Sequence, residues 1–465
     1  MRAISALFCA SLLVSAASGA EDPLRLTLSE AVDRALDRNP ESRRAREQVS
    51  ELRELVREAR SEALPKLDFA SRWVRTRDPG LRNSPFFSRL IAGPEALPPE
   101  ALGAFQFDNY AWGFSLEQPL YTFGRVGAAL RGARHELEGV HADVRGTELL
   151  LARDVALAWY DLLLTRRRLA VLESEGESRE RQLQQVRDRL ELEDATRLEL
   201  LNAQVALANL GPRVVAARNA TRVALARVNE AMGRPVVAEV EPIAGLELDD
   251  PLPAVPPLEL LLARANAGRP ELRRFGLDRE VLQAAEDVTR SDLKPEIAAT
   301  AAFGIDTFST GNLTELDLHN WAVGVSVRWT LFDGLKTPAV VGQYRSQRRQ
   351  SELLEESFRA DLARQLQEAR GTWLGAVEAI AAAELAVLGA KEATRVAEES
   401  YTWGAATLLD VLESERARRE AELTHAEALH AGQTALATIK YLVGLRPDAP
   451  ARELAAPPPA PQEKP

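Results

Sequence analysis

Residues 321–331 read Trp-Ala-Val-Gly-Val-Ser-Val-Arg-Trp-Thr-Leu. The odd positions Trp321, Val323, Val325, Val327, Trp329 and Leu331 are apolar, and the even ones are small or polar. Strict alternation over such a length specifies a β-strand with one greasy face. A strand of about 10 residues with an aromatic residue near each end also fits a bilayer-spanning strand. Trp112, Phe114 and Leu116 repeat the pattern against Gly113, Ser115 and Glu117. Leu67, Phe69 and Trp73 repeat it against Asp68 and Arg72, and residues 297–303 form a weaker fourth. Soluble hairpins with one buried face fit this patterning equally well. Four strands cannot close on themselves, whereas the smallest single-chain membrane barrels need about eight, so a membrane role requires several chains to pool strands.

Working outward, the chain is written twice. Asn39-Pro40-Glu41 answers Arg269-Pro270-Glu271, and Pro65 answers Pro295, at one offset of 230 residues; Gly124 answers Gly334 and Gly233 answers Gly444 at offsets of 210 and 211. The change of offset falls between the strands, in connections 74–109 and 304–319, where surface drift is tolerated. A period this long indicates two half-molecules, 21–245 and 246–446, rather than a solenoid unit. Each half opens with a short helix. Thr27 and Glu30 are placed as a capping box for the first, and residues 258–267 are its counterpart. Helices with Pro in the first turn follow at 40–63 and 270–293. After the strands come long helical stretches, 125 to about 191 and 335 to about 403, each with a returning helix. From Leu151, the positions Val155, Ala158, Leu162, Thr165, Leu169 and Leu172 keep steps of four and three, a coiled-coil seam. A helix of about 65 residues at ~1.5 Å per residue reaches roughly 100 Å and must pack along its length on neighbours. The Pro- and Ala-rich tail 447–465 reads as disordered.

Residues 1–20 carry one charge, Arg2, ahead of an apolar run and Ser18-Gly19-Ala20, which is the pattern of a cleaved export signal. Cys9, the single cysteine, lies inside it, so the mature chain has no disulfide and no thiol chemistry. Without residues 1–20 the net charge moves from -11 to -12, which argues against a nucleic-acid partner. No later window approaches the ~18 uninterrupted apolar residues of a spanning helix. His135, His141, His319, His425 and His430 offer no metal-ligand spacing, and no phosphate loop or nucleophile elbow occurs. No metal, cofactor or enzymatic activity is expected.

Residues 401–413, Tyr-Thr-Trp-Gly-Ala-Ala-Thr-Leu-Leu-Asp-Val-Leu-Glu, resemble the periplasmic tip of the TolC family of outer-membrane efflux proteins. Leu28-Ser29-Glu30-Ala31 with Asn39-Pro40, Pro65 and Pro295, and Gln118-Pro119-Leu120-Tyr121 before Gly124 carry the same resemblance over nearly the whole mature chain. It implies a mixed membrane protein: a homotrimer whose chains each give four strands to one 12-stranded transmembrane β-barrel in outer-membrane lipid, continued by an α-helical coiled-coil barrel into the periplasm. It implies a passive exit duct of a tripartite efflux or type I secretion system, working with a periplasmic adaptor (membrane fusion) protein and an inner-membrane pump of RND or ABC type. By the resemblance, Glu199 and Tyr401 form the periplasmic gate link and Asp410 and Glu413 the acidic constriction rings. The adaptor-docking helix tips are Glu193, Ala195 and Thr196 in one hairpin and Gly404, Ala405 and Thr407 in the other. Two departures stand out: Ala406 replaces the link's usual basic residue, and Glu193 replaces the glycine of the first tip. The competing reading is a periplasmic coiled-coil scaffold without a pore, which the alternating strand at 321–331 does not serve.

Overall fold

The computed structural model describes residues 24–77, 106–193, 195–243, 245–248, 252–307, 309–315, 317, 319–403 and 405–456. The expected export signal at 1–20, Gly404 and the tail from 457 onward lie outside them. In chain order the elements are β1 (Leu24–Leu26), α1 (Leu28–Arg38), α2 (Pro40–Ser61), β2 (Lys66–Arg77), β3 (Gln106–Tyr121), α3 (Arg125–Glu191) and α4 (Arg197–Ala231). They continue with β4 (Val240–Pro242), α5 (Leu258–Gly268), α6 (Pro270–Ser291), β5 (Glu296–Thr307), β6 (Asn320–Arg328), α7 (Lys336–Thr402) and α8 (Leu408–Leu442). Helix lengths recur in the same sequence: α1 and α5 have 11 residues, α2 and α6 have 22, α3 and α7 have 67, and α4 and α8 have 35. The paired glycines Gly124 and Gly334, and Gly233 and Gly444, all sit at positive φ. The α2 and α6 helices each stop two residues before the expected end. There, three-residue turns (Leu64 N–H to Ser61 O, Lys294 N–H to Ser291 O) precede Pro65 and Pro295, which disfavour helix in the residue before them.

The chain divides into two compact units. The first takes in residues up to Arg46, Val144–Pro270 and Phe358 onward. Its core gathers Val32 and Ala35 of α1, Val155, Trp159 and Leu162 of α3, Val228 of α4, and Leu26 and Val240 of a parallel β1·β4 pair that the sequence reading missed. The Thr27–Glu30 capping box is present in full. The expected seam of α3 is buried at Leu151, Val155 and Leu162, thins at Thr165, Leu169 and Leu172, which are half-buried, and resumes in the same steps of four and three at Leu183 and Val186, with half-buried Arg179 on the seam between. Of the expected tail 447–465 only residues up to Ala456 are described, and there residues 451–455 form a 3₁₀ turn, Leu454 is buried, and Arg264 donates to the carbonyl of Ala456.

The second unit, Glu47–Asp143 with Glu271–Ser357, carries the four-stranded sheet. Its order is β2-β3-β5-β6, antiparallel throughout, and β2 and β6 each have a single partner. The register places Phe69 opposite Phe114, Phe114 opposite Phe303, and Phe303 opposite Trp321, so the large apolar residues share one face. Trp321, Val323, Val325 and Val327 on that face are all at least 65 % exposed. Four expected strands are present, though β6 stops at Arg328 rather than Leu331. Its partner begins at Glu296, behind Pro295, so Trp329 has no strand to pair with and its indole N–H donates to the Leu293 carbonyl instead. One further expectation needs correcting. The stretch of α7 from Trp373 to Ala390 holds only Glu378 and Glu384 as charges and is apolar enough, by length and composition, to cross a membrane. Only 22 % of it is buried, and Leu385 and Leu388 stand in the open.

Candidate functional site

Both long hairpins turn in the same way. In the first, Thr196 closes the start of α4: its backbone N–H donates to the Glu199 carboxylate at 3.0 Å, and the Glu199 N–H donates to the Thr196 hydroxyl at 3.2 Å. In the second, Thr407 caps α8, giving its N–H to Asp410 Oδ2 at 2.7 Å and its hydroxyl at 2.6 Å while accepting from the Asp410 N–H at 3.3 Å. These are capping boxes, which satisfy otherwise orphaned N–H groups and place a carboxylate at the positive end of the helix. The Thr407 hydroxyl, and after it the Thr407 N–H, hold the Asp410 carboxyl below its ordinary range.

Glu193 occupies the left-handed region, with φ at 65°, the conformation a glycine would take without strain. Ala405 and Ala406 both donate backbone N–H groups to the Ser400 carbonyl, at 2.8 and 3.3 Å, which ends α7. Ala195 is half-buried, while Asp410 and Glu413 are exposed one turn apart on α8.

The structure does not place Tyr401 and Glu199 together within one chain. Glu199 is engaged by its own cap, whereas the Tyr401 hydroxyl accepts from Arg189 Nη1 of α3 at 3.1 Å. Arg189 was not singled out from the sequence, where it is one arginine among many on a charged helix. A guanidinium thus reaches Tyr401 from the first hairpin. Among the described residues no group of three or more His, Asp or Glu stands together to hold a metal ion. The tip chemistry is that of hydrogen bonds, caps and carboxylates.

A family profile described as Outer membrane efflux protein matches residues 31–234 and 261–445. The chain belongs to that family. Family membership sets its place in the outer membrane, reaching into the periplasm, and its role in transport rather than enzymatic catalysis. Among relatives of this efflux protein, Nodulation protein T of Rhizobium leguminosarum bv. trifolii is 22 % identical over 437 residues, covering 91 % of this chain and 86 % of that one. Alkaline protease secretion protein AprF of Pseudomonas aeruginosa is 23 % identical over 354 residues, covering 75 % and 73 %. In structure, the Campylobacter jejuni CmeC outer membrane channel matches with a TM-score of 0.74 at 14 % identity, over 92 % of this chain and 88 % of that one.

Proposed function

We propose that three copies of this chain form the exit duct of a tripartite efflux or secretion system. The observation that carries this reading is the open sheet. Its four antiparallel strands expose an apolar face and two unpaired edges, and neither can stand as it is in water or lipid. Three such sheets joined edge to edge make a closed 12-stranded barrel with the apolar face toward lipid and the small and polar face toward the lumen. The recurring helix lengths and glycines support two tandem structural repeats, 21–245 and 246–446, whose hairpins continue the barrel as an α-helical tunnel.

Transport through such a duct is passive, and an inner-membrane pump of RND or ABC type, joined by a periplasmic adaptor, supplies energy and substrate choice. The adaptor docks on the tips around Glu193, Ala195, Thr196, Gly404, Ala405 and Thr407. Asp410 and Glu413 form rings of like charge that favour cations, and Tyr401 with Glu199 belongs to the closing link, in which Arg189 takes part. The test is to add the detergent-extracted oligomer to a planar lipid bilayer. Discrete cation-selective steps are expected; a water-soluble protein giving no steps would sink the duct and promote the poreless scaffold.

A further inference from the structure

In the second unit, α6 runs into β5 and α7 leaves β6, and the ion pairs between the two helices run antiparallel. Away from the sheet these charges are balanced or acidic. Arg279 bonds Glu355 one to one, and Arg274 is shared by Glu136, Asp143 and Asp278. Beside the sheet the balance reverses. The Glu286 carboxylate, 2 % exposed, takes three guanidiniums: Arg290 from the next turn of α6, and Arg345 Nε at 3.2 Å and Arg348 Nη1 at 3.7 Å from α7. Among the described residues no second carboxylate stands within ion-pair distance of these arginines, since neighbouring Asp287 is held by Arg131 at 3.1 Å. Three guanidiniums against one carboxylate leave two positive charges uncompensated, in a chain whose net charge is -11.

The acid is used up and the cations are not. All three arginines stay 36–54 % exposed around the buried carboxylate. Arg345 bonds it through Nε, which keeps both terminal nitrogens for another partner. Arg348 gives an Nη group to Gln283, while its Nε is buried with no partner at all. Orphaned buried N–H groups are rare and costly, so this one marks a guanidinium whose set of acceptors is incomplete. Planar guanidinium forks match the oxygens of a phosphate, and a carboxylate that fixes them from beneath presents them ready-made.

The level of the cluster narrows the choice of anion. Arg290 stands three residues, about 5 Å of helix rise, before Leu293. The Leu293 carbonyl accepts the indole N–H of Trp329, which closes the apolar row that begins at Trp321. Tryptophans at the end of such a row mark the membrane boundary, and the headgroup layer extends roughly 5–8 Å beyond the hydrocarbon. The cluster therefore stands at headgroup depth, beside exposed Val327 and Trp329 on which acyl chains can lie. At the offsets of 230 and 210 residues the first half of the chain has Val56, Arg60, His135 and Glu138 in these places, so the excess charge is not something the repeated fold requires.

We propose that Arg290, Arg345 and Arg348, arrayed on Glu286, bind the phosphate of a phospholipid headgroup from the periplasmic leaflet, one lipid per chain. A phosphate ester dissolved in the periplasm offers the same oxygens, and the apolar row beside the cluster favours the lipid. The depth of the site rests on the trimeric duct reading; its charge does not.

Native mass spectrometry of the delipidated, detergent-purified protein tests this, with dioleoylphosphatidylglycerol as the probe. One retained lipid per chain is expected, whereas dioleoylglycerol, which lacks the phosphate, and glycerol phosphate, which lacks the acyl chains, are expected to be lost. Arg345→Gln with Arg348→Gln should weaken retention about tenfold or more, the worth of one charge-assisted bond. Half-exposed Arg345→Gln alone serves if the double variant does not assemble. Arg364→Gln, which breaks the pairs with Asp361 and Glu368 farther along α7, should leave retention unchanged. Full retention by the arginine variants, or equal retention of dioleoylglycerol, would overturn the site. Glycerol phosphate held as tightly as the lipid would overturn the lipid as its occupant. A protein that stays dissolved without detergent would sink the duct reading instead, a result read independently of the retention ratios.

Discussion

Gly139 offers the sharpest quantitative test of how the second unit is held. The Arg274 guanidinium of α6 lies in the notch that this glycine leaves in α3, where an added Cβ would come within 1.8 Å of Nη1 and 2.8 Å of Cζ. In that seat Arg274 donates to Glu136 at 2.8 Å and meets Asp278 at 2.9 Å and Asp143 at 3.6 Å. Gly139→Ala expels the guanidinium and leaves three carboxylates facing one another. Each lost charge-assisted hydrogen bond costs ~1.5–3 kcal/mol, and since water reaches the half-buried cluster we take the low end for the two close contacts, about 3 kcal/mol together. Alanine returns about 0.5–1 kcal/mol by its better helix propensity. The net expectation is a loss of roughly 2 kcal/mol in urea unfolding of the detergent-purified protein. In an Arg274→Ala background the clash is absent, so the same substitution should stabilise by about 0.5–1 kcal/mol. A Gly139→Ala effect of the same sign and size in both backgrounds would refute the reasoning. The pH dependence follows from the carboxyls. Burial, the largest cause, raises Asp143 and Asp278 above the ordinary Asp value, so their contribution is favourable below that value and is lost as pH rises through the folded-state value. Loss of the guanidinium raises them further, so the damage from Gly139→Ala should be smallest in acid and grow toward neutrality.

Replacing Glu193 by glycine relieves a left-handed backbone that costs an L-residue roughly 1 kcal/mol, so slower amide exchange at the first tip is expected; faster exchange would show that the side chain holds the turn. Thr407→Ala removes the cap of α8 at a cost of about 1 kcal/mol and should speed exchange in its first turn, and unchanged protection there would dismiss the cap as a support. On the sheet, Val325→Arg puts a charge on the apolar face at a cost of ~2–4 kcal/mol near the bilayer midplane and should impair membrane assembly, whereas Ser326→Arg on the other face should not; equal tolerance would contradict the facing. Channels of Asp410→Ala and Glu413→Ala are expected to lose block by multivalent cations, and undiminished block would remove the ring assignment.

Period-two and heptad patterns are written in the types of successive residues, which is why β2, β3, β5, β6 and the long helices could be read directly from the sequence. The capping box at Thr27 and Glu30 was legible for the same reason. Less local features were not. The β1·β4 pair joins Leu24 to Val240 across most of the first half, and three-residue strands carry too little pattern to announce themselves. The charges on α3 look in sequence like a solvated face, yet Asp161, Arg168 and Glu175 recur every seven residues and meet α8. That spacing was the signal available, and charge type alone obscured it. At the tips, Thr196 and Thr407 stood among the docking residues, and Glu199 and Asp410 were assigned to gate and ring. Both pairs act first as helix caps, and the spacing that announced the cap at Thr27 and Glu30 stands unchanged at Thr196 and Glu199 and with Asp in place of Glu at Thr407 and Asp410, so the signal was present and the tip assignment hid it.

The bare strand edges have a consequence for the life of the chain before assembly. A protomer folded as described would carry β2 and β6 into the periplasm as ready templates for any extended polypeptide it met, beside a sheet face bearing Trp321 and its neighbours. Such a species is an aggregation hazard, and its lifetime must be short or its surface shielded. In the proposed trimer, ordering of the strands is therefore expected to coincide with meeting the other copies and the lipid, which would make the stability of this protein inseparable from its concentration at the membrane. Overproduction that outruns insertion should yield insoluble chains, even though each helix in them can form.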